Sequence, residues 1–120
     1  MGVTAMVNPY ERLANGIIEQ AVKDYRRARK YLKKHPRTEE LEAAVAAQLA
    51  KKKKRREEWV KLNLPREREK RSKEERLLDT IRSDERMAVD TGKFFLSDWF
   101  TDLTEINGKW LLERLKQEVG

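Results

Sequence analysis

The sequence predicts an all-α fold of four to five helices, with an aromatic-rich helical core and a projecting charged helical pair. Three observations lead there. Glycine (five) and proline (three) are scarce in 120 residues, which disfavours a turn-rich β architecture. Apolar residues recur at steps of three and four along most of the chain, the period of an amphipathic helix. Charged residues reach 41% against 38% hydrophobic, a balance that suits long helices with a narrow apolar stripe and a wide solvated face.

The chain divides into one helical domain over 1–120 with three parts: helix 1 at 8–35, a charged helical arm or insertion at 38–76, and aromatic C-terminal helices at 77–120. Asn8-Pro9-Tyr10-Glu11 is the start signal of helix 1. Asn8 suits the N-cap, Pro9 the first helical position and Glu11 the capping box. Tyr10, Leu13, Ala14, Ile17, Ile18, Ala21, Val22, Tyr25, Ala28 and Leu32 then form the apolar series. His35-Pro36 ends it, because the residue before proline resists the α conformation.

A second helix starts near Thr38, with Leu41, Val45, Gln48/Leu49, Trp59 and Val60 as its stripe. The stripe is interrupted by Lys51-Lys52-Lys53-Lys54-Arg55-Arg56, through which a helix can run because Lys and Arg are good helix formers. Asn63-Leu64-Pro65 closes it. Residues 66–71 contain no apolar side chain, so they read as an exposed helix or a connector. Ser72-Lys73-Glu74-Glu75 has the form of a capping box. A third helix follows through Leu77, Leu78, Ile81 and Ala88 and on past Gly92 to Phe94-Phe95. Ser97 caps a short helix bearing Trp99, Phe100 and Leu103. Asn107-Gly108 has the form of a hairpin turn, but Leu111, Leu112 and Leu115 follow at helical spacing, so Asn107 reads as the N-cap of a last helix over 108–119.

Charge is unevenly spread. Residues 1–40 carry nine Lys/Arg against five Asp/Glu, a net +4. Residues 41–76 are net +6, and residues 77–120 are net −3. A basic front and an acidic, aromatic back suggest two roles on one chain. Two clusters stand out. On helix 1, Lys23, Arg26, Arg27, Lys30 and Lys34 recur largely opposite the apolar stripe, and Asp24 is the only acid between residues 20 and 38. On helix 2, Lys51, Lys52, Lys53, Lys54, Arg55 and Arg56 are consecutive, with Trp59 as a stacking candidate. Either cluster can hold a phosphate backbone. Either can also be an ordinary solvated face, with Glu57 and Glu58 pairing Lys53 and Lys54 at i,i+4. Phe94, Phe95, Trp99, Phe100 and Trp110 can stack on bases or clamp a partner protein, but they read first as core, since a lean chain draws most buried area from its aromatics.

Catalytic chemistry has little foothold. No cysteine is present, which removes disulfides, thiolate metal sites and thiol nucleophiles. The one histidine, His35, sits at a helix end before Pro36 and reads as a helix C-terminal residue. No Gly-rich phosphate loop, His-Glu-x-x-His or Gly-x-Ser-x-Gly occurs. Asp98 and Asp102 stand i,i+4 and can bridge a cation only with further ligands; helix capping is the simpler role. The expectation is a non-enzyme with no cofactor and no metal. No apolar run approaches the roughly 18–20 residues that span a bilayer, and the first residues lack the pattern of a signal peptide. Cytoplasmic location is therefore expected.

The stretch Phe94-Phe95-Leu96-Ser97-Asp98-Trp99-Phe100, then Leu103-Thr104, Ile106-Asn107-Gly108, Trp110-Leu111 and 115–119, is similar to the end of small proteins encoded in prophages and integrative elements of Gram-positive bacteria. Residues 17–32, with Ala21-Val22-Lys23-Asp24-Tyr25-Arg26, resemble the start of the same proteins. Members carry an acid where this chain has Asn107, and they are shorter, so 38–76 has the place of an insertion or variable arm. The resemblance implies a mobile-element origin, action in the bacterial host cytoplasm, and no assigned activity to carry over. Together with the basic faces it points to a phage-type accessory protein that binds DNA or RNA backbone. The alternative is an inhibitor or modulator of a host protein or ribonucleoprotein, such as a defence nuclease, acting by protein–protein contact. Thin apolar stripes complete their burial by pairing, so a homodimer is expected.

Overall fold

The computed structural model describes residues 9–65 and 67–119; the expected Asn8 cap and Arg66 lie outside them. The described residues form five helices: α1 (Pro9–Lys34), α2 (Glu39–Lys61), α3 (Lys73–Phe95), α4 (Asp98–Leu103) and α5 (Gly108–Val119). Among the described residues there is no strand. Two compact units form. The first comprises the described parts of Met1–Lys34 and Asp84–Gly120, the second His35–Ser83.

Helix boundaries follow local chemistry. Thr38 Oγ1 accepts from the Leu41 amide at 3.1 Å and caps α2. α2 runs unbroken through 51–56. At its end Asn63 takes φ 53°, the Leu64 amide donates to the Trp59 carbonyl at 2.9 Å, and the Asn63 amide donates to the Val60 carbonyl at 3.2 Å. This is a Schellman closure, in which asparagine tolerates the left-handed position and Pro65 prevents continuation. Residues 67–72 form no helix, which settles the choice offered by the charged stretch. Ser72 Oγ accepts from the Glu75 amide at 3.1 Å. Ser97 Oγ accepts from the Phe100 amide at 3.2 Å, and Asn107 Oδ1 from the Trp110 amide at 3.0 Å. Asn107-Gly108 is thus a helix start, not a hairpin.

In the first unit α1 packs against α4 and α5. Ile18, Tyr25, Phe95, Phe100, Leu112 and Leu115 make the core. Phe95 stands edge-on to Tyr25 at 6.2 Å and to Phe100 at 5.7 Å between ring centroids, contacts that add about 0.5–1.5 kcal/mol each beyond area burial. Gly108 allows α5 to start against the end of α3: a Cβ there would lie 1.7 Å from the Phe95 carbonyl oxygen. Two aromatics depart from the core expected for them. Trp99 is 56% and Trp110 57% exposed. The reason is helical phase: Trp110 lies about 200° before Leu112 around α5, and Trp99 about 100° before Phe100 around α4.

In the second unit Val45, Leu78 and Ile81 are buried, and so is Glu75. Leu49 and Val60 remain exposed, so the apolar stripe of α2 is shorter than its sequence pattern.

Candidate nucleic-acid interface

On α1, Lys23, Arg27, Lys30 and Lys34 are all exposed. At about 100° per residue they fall within an arc of roughly 60°, centred opposite Tyr25. Tyr25 is buried in the core, so burial of one face orients the opposite one to water. The four cations span about 16 Å along the helix. No acidic side chain of α1 lies in that arc. Arg27 contacts Asp24 at 3.3 Å, yet its side chain stays 73% exposed, so the pair is a weak solvent-screened one.

Arg26 belongs elsewhere. Its Nε donates to Glu118 Oε2 at 2.8 Å and its Nη2 to Glu118 Oε1 at 2.9 Å. This two-pronged bridge links α1 to α5 and neutralises the guanidinium. The Arg26 hydrogen bond, followed by the field of Arg26, Arg114 and Lys30, holds the Glu118 carboxyl below its ordinary value. Arg26 is thus a structural cation beside the ridge.

On α2 the six consecutive cations divide by phase. Lys52 and Arg56 lie seven and eleven residues after buried Val45, so they share its inward face. They fill the interruption in the apolar stripe with ion pairs. Lys52 Nζ is 2.9 Å from Glu75 Oε2 and also donates to the Lys70 carbonyl at 3.1 Å. Only 13% of the Lys52 side chain and 8% of the Glu75 side chain are exposed. Arg56 Nη2 lies 3.3 Å from Glu69 Oε2. Gln48 completes the inward polar seam, donating to Glu74 Oε2 at 3.3 Å and accepting from Ser72 Oγ. A hydrogen bond from its own backbone amide, then the Gln48 bond, lowers the Glu74 pKa.

Lys51, Lys53, Lys54 and Arg55 point outward and are exposed. The i,i+4 pairs expected with Glu57 and Glu58 are absent among the described residues, so these four cations carry their full charge to solvent. Trp59 is half-buried on the inward side of α2, which leaves only part of its ring for a stacking contact.

One of the five α1 cations and two of the six on α2 are therefore held in ion pairs with another segment of the fold. Sequence reading treated the run at 51–56 as uniform, because adjacency in sequence hides the 100° step. Trp110, expected in the core, instead stands exposed with the Arg114 guanidinium 5.8 Å from its ring centroid. The phase of Trp110 relative to Leu111, Leu112 and Leu115 was the available signal.

Among the described residues no group of three His, Cys, Asp or Glu side chains could hold a metal ion. No described helix is long and apolar enough to cross a membrane. No protein-family model, curated protein or solved structure matches this chain.

Proposed function

We propose that this protein is a non-enzymatic accessory factor that binds the phosphate backbone of nucleic acid. The observation that carries the reading is the ridge of Lys23, Arg27, Lys30 and Lys34, set opposite the buried face of α1. One cation per turn along a straight helix suits a line of phosphates, and such contacts bring affinity without base selectivity. Lys51, Lys53, Lys54 and Arg55 supply a second cationic surface on α2. The bacterial cytoplasm and a mobile genetic element are the proposed setting, on the strength of the similarity at the two chain ends.

The test is direct. Protein purified at low salt carries a high 260/280 nm absorbance ratio that nuclease treatment removes. A ratio that is low from the start, with no retardation of duplex or single-stranded probes at any salt, overturns the reading.

A second reading has its own support. Exposed Trp110 under Arg114 combines two residue types enriched at protein interfaces, which favours a modulator of a host protein. Loss of partner capture on Trp110→Ala, with nuclease present throughout, is its expected signature.

A further inference from the structure

α1 carries two apolar seams of coiled-coil spacing. One, through Ala14, Ile18, Tyr25 and Ala28, is buried in the first unit. The other runs through Tyr10, Leu13, Ile17, Gln20 and Asp24 at steps of 3, 4, 3 and 4, the alternation that keeps a seam facing a partner helix. Its apolar end stands out to solvent: Tyr10 is 82% and Leu13 64% exposed. Its other end forms the floor of an open apolar groove between Ile17, Ala21, Phe94 and Trp99, rimmed by Asp24 and Asp90. One face thus holds an apolar protrusion and an apolar groove, on either side of Ile17.

We infer that this face binds a second copy of the chain, with the two α1 helices antiparallel about a two-fold axis at Ile17. Leu13 lies as many residues before Ile17 as Ala21 lies after it, and Tyr10 as many as Asp24. The antiparallel arrangement therefore seats each Leu13 in the other copy's groove and brings each α1 N-terminus, the positive end of its helix dipole, to the other copy's Asp24. A parallel arrangement sets Asp24 against Asp24 and leaves both grooves unfilled. The interface is self-complementary, as a two-fold contact must be. Exposed Tyr10, Leu13 and Trp99 with half-buried Ile17 and Phe94, counted on both copies, bring the buried area to roughly 1,000–1,200 Å², the lower end for a specific complex. The dimer is accordingly concentration-dependent.

One consequence rests on the nucleic-acid reading. The ridge lies about a quarter turn around α1 from this seam, so the two-fold axis puts both ridges on one side of the dimer. Their midpoints lie about 17 Å from the axis at 1.5 Å per residue. The two ridges are then about 35 Å apart along the helices, one turn of B-form DNA.

The chain has no cysteine, so introduced thiols report the geometry. Ile17→Cys is expected to form a disulfide-linked dimer under mild oxidation, and Asn15→Cys, on the opposite side of α1, is expected not to. Light scattering should give twice the 14.3 kDa chain mass at tens of micromolar. Leu13→Glu should give the monomer mass with unchanged circular dichroism. A wild-type monomer at all concentrations, a larger assembly, or equal cross-linking of both thiol variants overturns the interface. A dimer that binds no duplex leaves the interface standing and removes the nucleic-acid reading alone.

Discussion

Lys52 Nζ and Glu75 Oε2 stand 2.9 Å apart, and this pair makes one lysine of a six-cation run a structural residue. Lys54, two positions further on, faces water. The same residue type thus serves two purposes within one helical turn, separated by phase alone.

Lys52→Met and Lys54→Met remove the same charge with opposite consequences. Lys52→Met strands the nearly covered Glu75 carboxylate, and should lower the stability of the second unit by about 2–3 kcal/mol, somewhat less than for a fully buried pair. Lys54→Met should stay within about 0.5 kcal/mol, as other exposed substitutions do. Urea titration followed by circular dichroism measures both. Equal effects would show that the ion pair does not hold the unit.

Two glycines should respond in opposite directions to alanine. At Gly108 a Cβ meets the Phe95 carbonyl oxygen at 1.7 Å and the Phe100 ring at 3.1 Å. Gly108→Ala should cost at least about 2 kcal/mol, because backbone must move. At Gly92 a Cβ meets only Leu112 methyl groups, at 3.8 and 3.9 Å, an ordinary contact inside a helix. Gly92→Ala should gain about 0.5–1 kcal/mol from helix propensity. Thermal unfolding of both variants reads the sign.

Acid should weaken the fold through two depressed carboxylates. Glu118 is lowered chiefly by its Arg26 hydrogen bond and Glu74 by its own backbone amide and Gln48. A carboxylate with a folded pKa below its unfolded one contributes stability above the unfolded value, about 4.3 for glutamate. That contribution is lost as pH falls through the folded value. Glu118→Gln should therefore flatten the decline in melting temperature below about pH 4, with little change at pH 7 because the bridge is solvent-screened. An unchanged acid limb would remove the Arg26–Glu118 bridge from the account.

The sequence carried most of the architecture, and of the candidate site it carried the two basic clusters but not their division by helical phase. Caps at Ser72, Ser97 and Asn107 were readable because each is a local contest between a side-chain oxygen and a free amide. Phe94, Phe95 and Phe100 were readable as core from bulk alone. Trp99 and Trp110 were not, since bulk favours burial while helical phase set them outward. The division of 51–56 into inward and outward cations was hidden for a different reason. It depends on Glu69 and Glu75 arriving from a segment 13–23 residues further on, which no local pattern announces. The Arg26–Glu118 bridge was hidden in the same way, because the two residues are 92 positions apart.

The most direct measurement of the central claim is the salt dependence of duplex DNA affinity by fluorescence anisotropy, for the wild type and for Lys23, Arg27, Lys30 and Lys34 changed together to Gln. Each phosphate contact contributes about −0.9 to the slope of log affinity against log salt. A wild-type slope of about −4 or steeper that becomes shallower by about 3–4 in the variant, with an unchanged helical spectrum, is the predicted result. A slope near zero in the wild type, or one that the four substitutions leave unaltered, contradicts the assignment of the α1 ridge as the phosphate-binding surface.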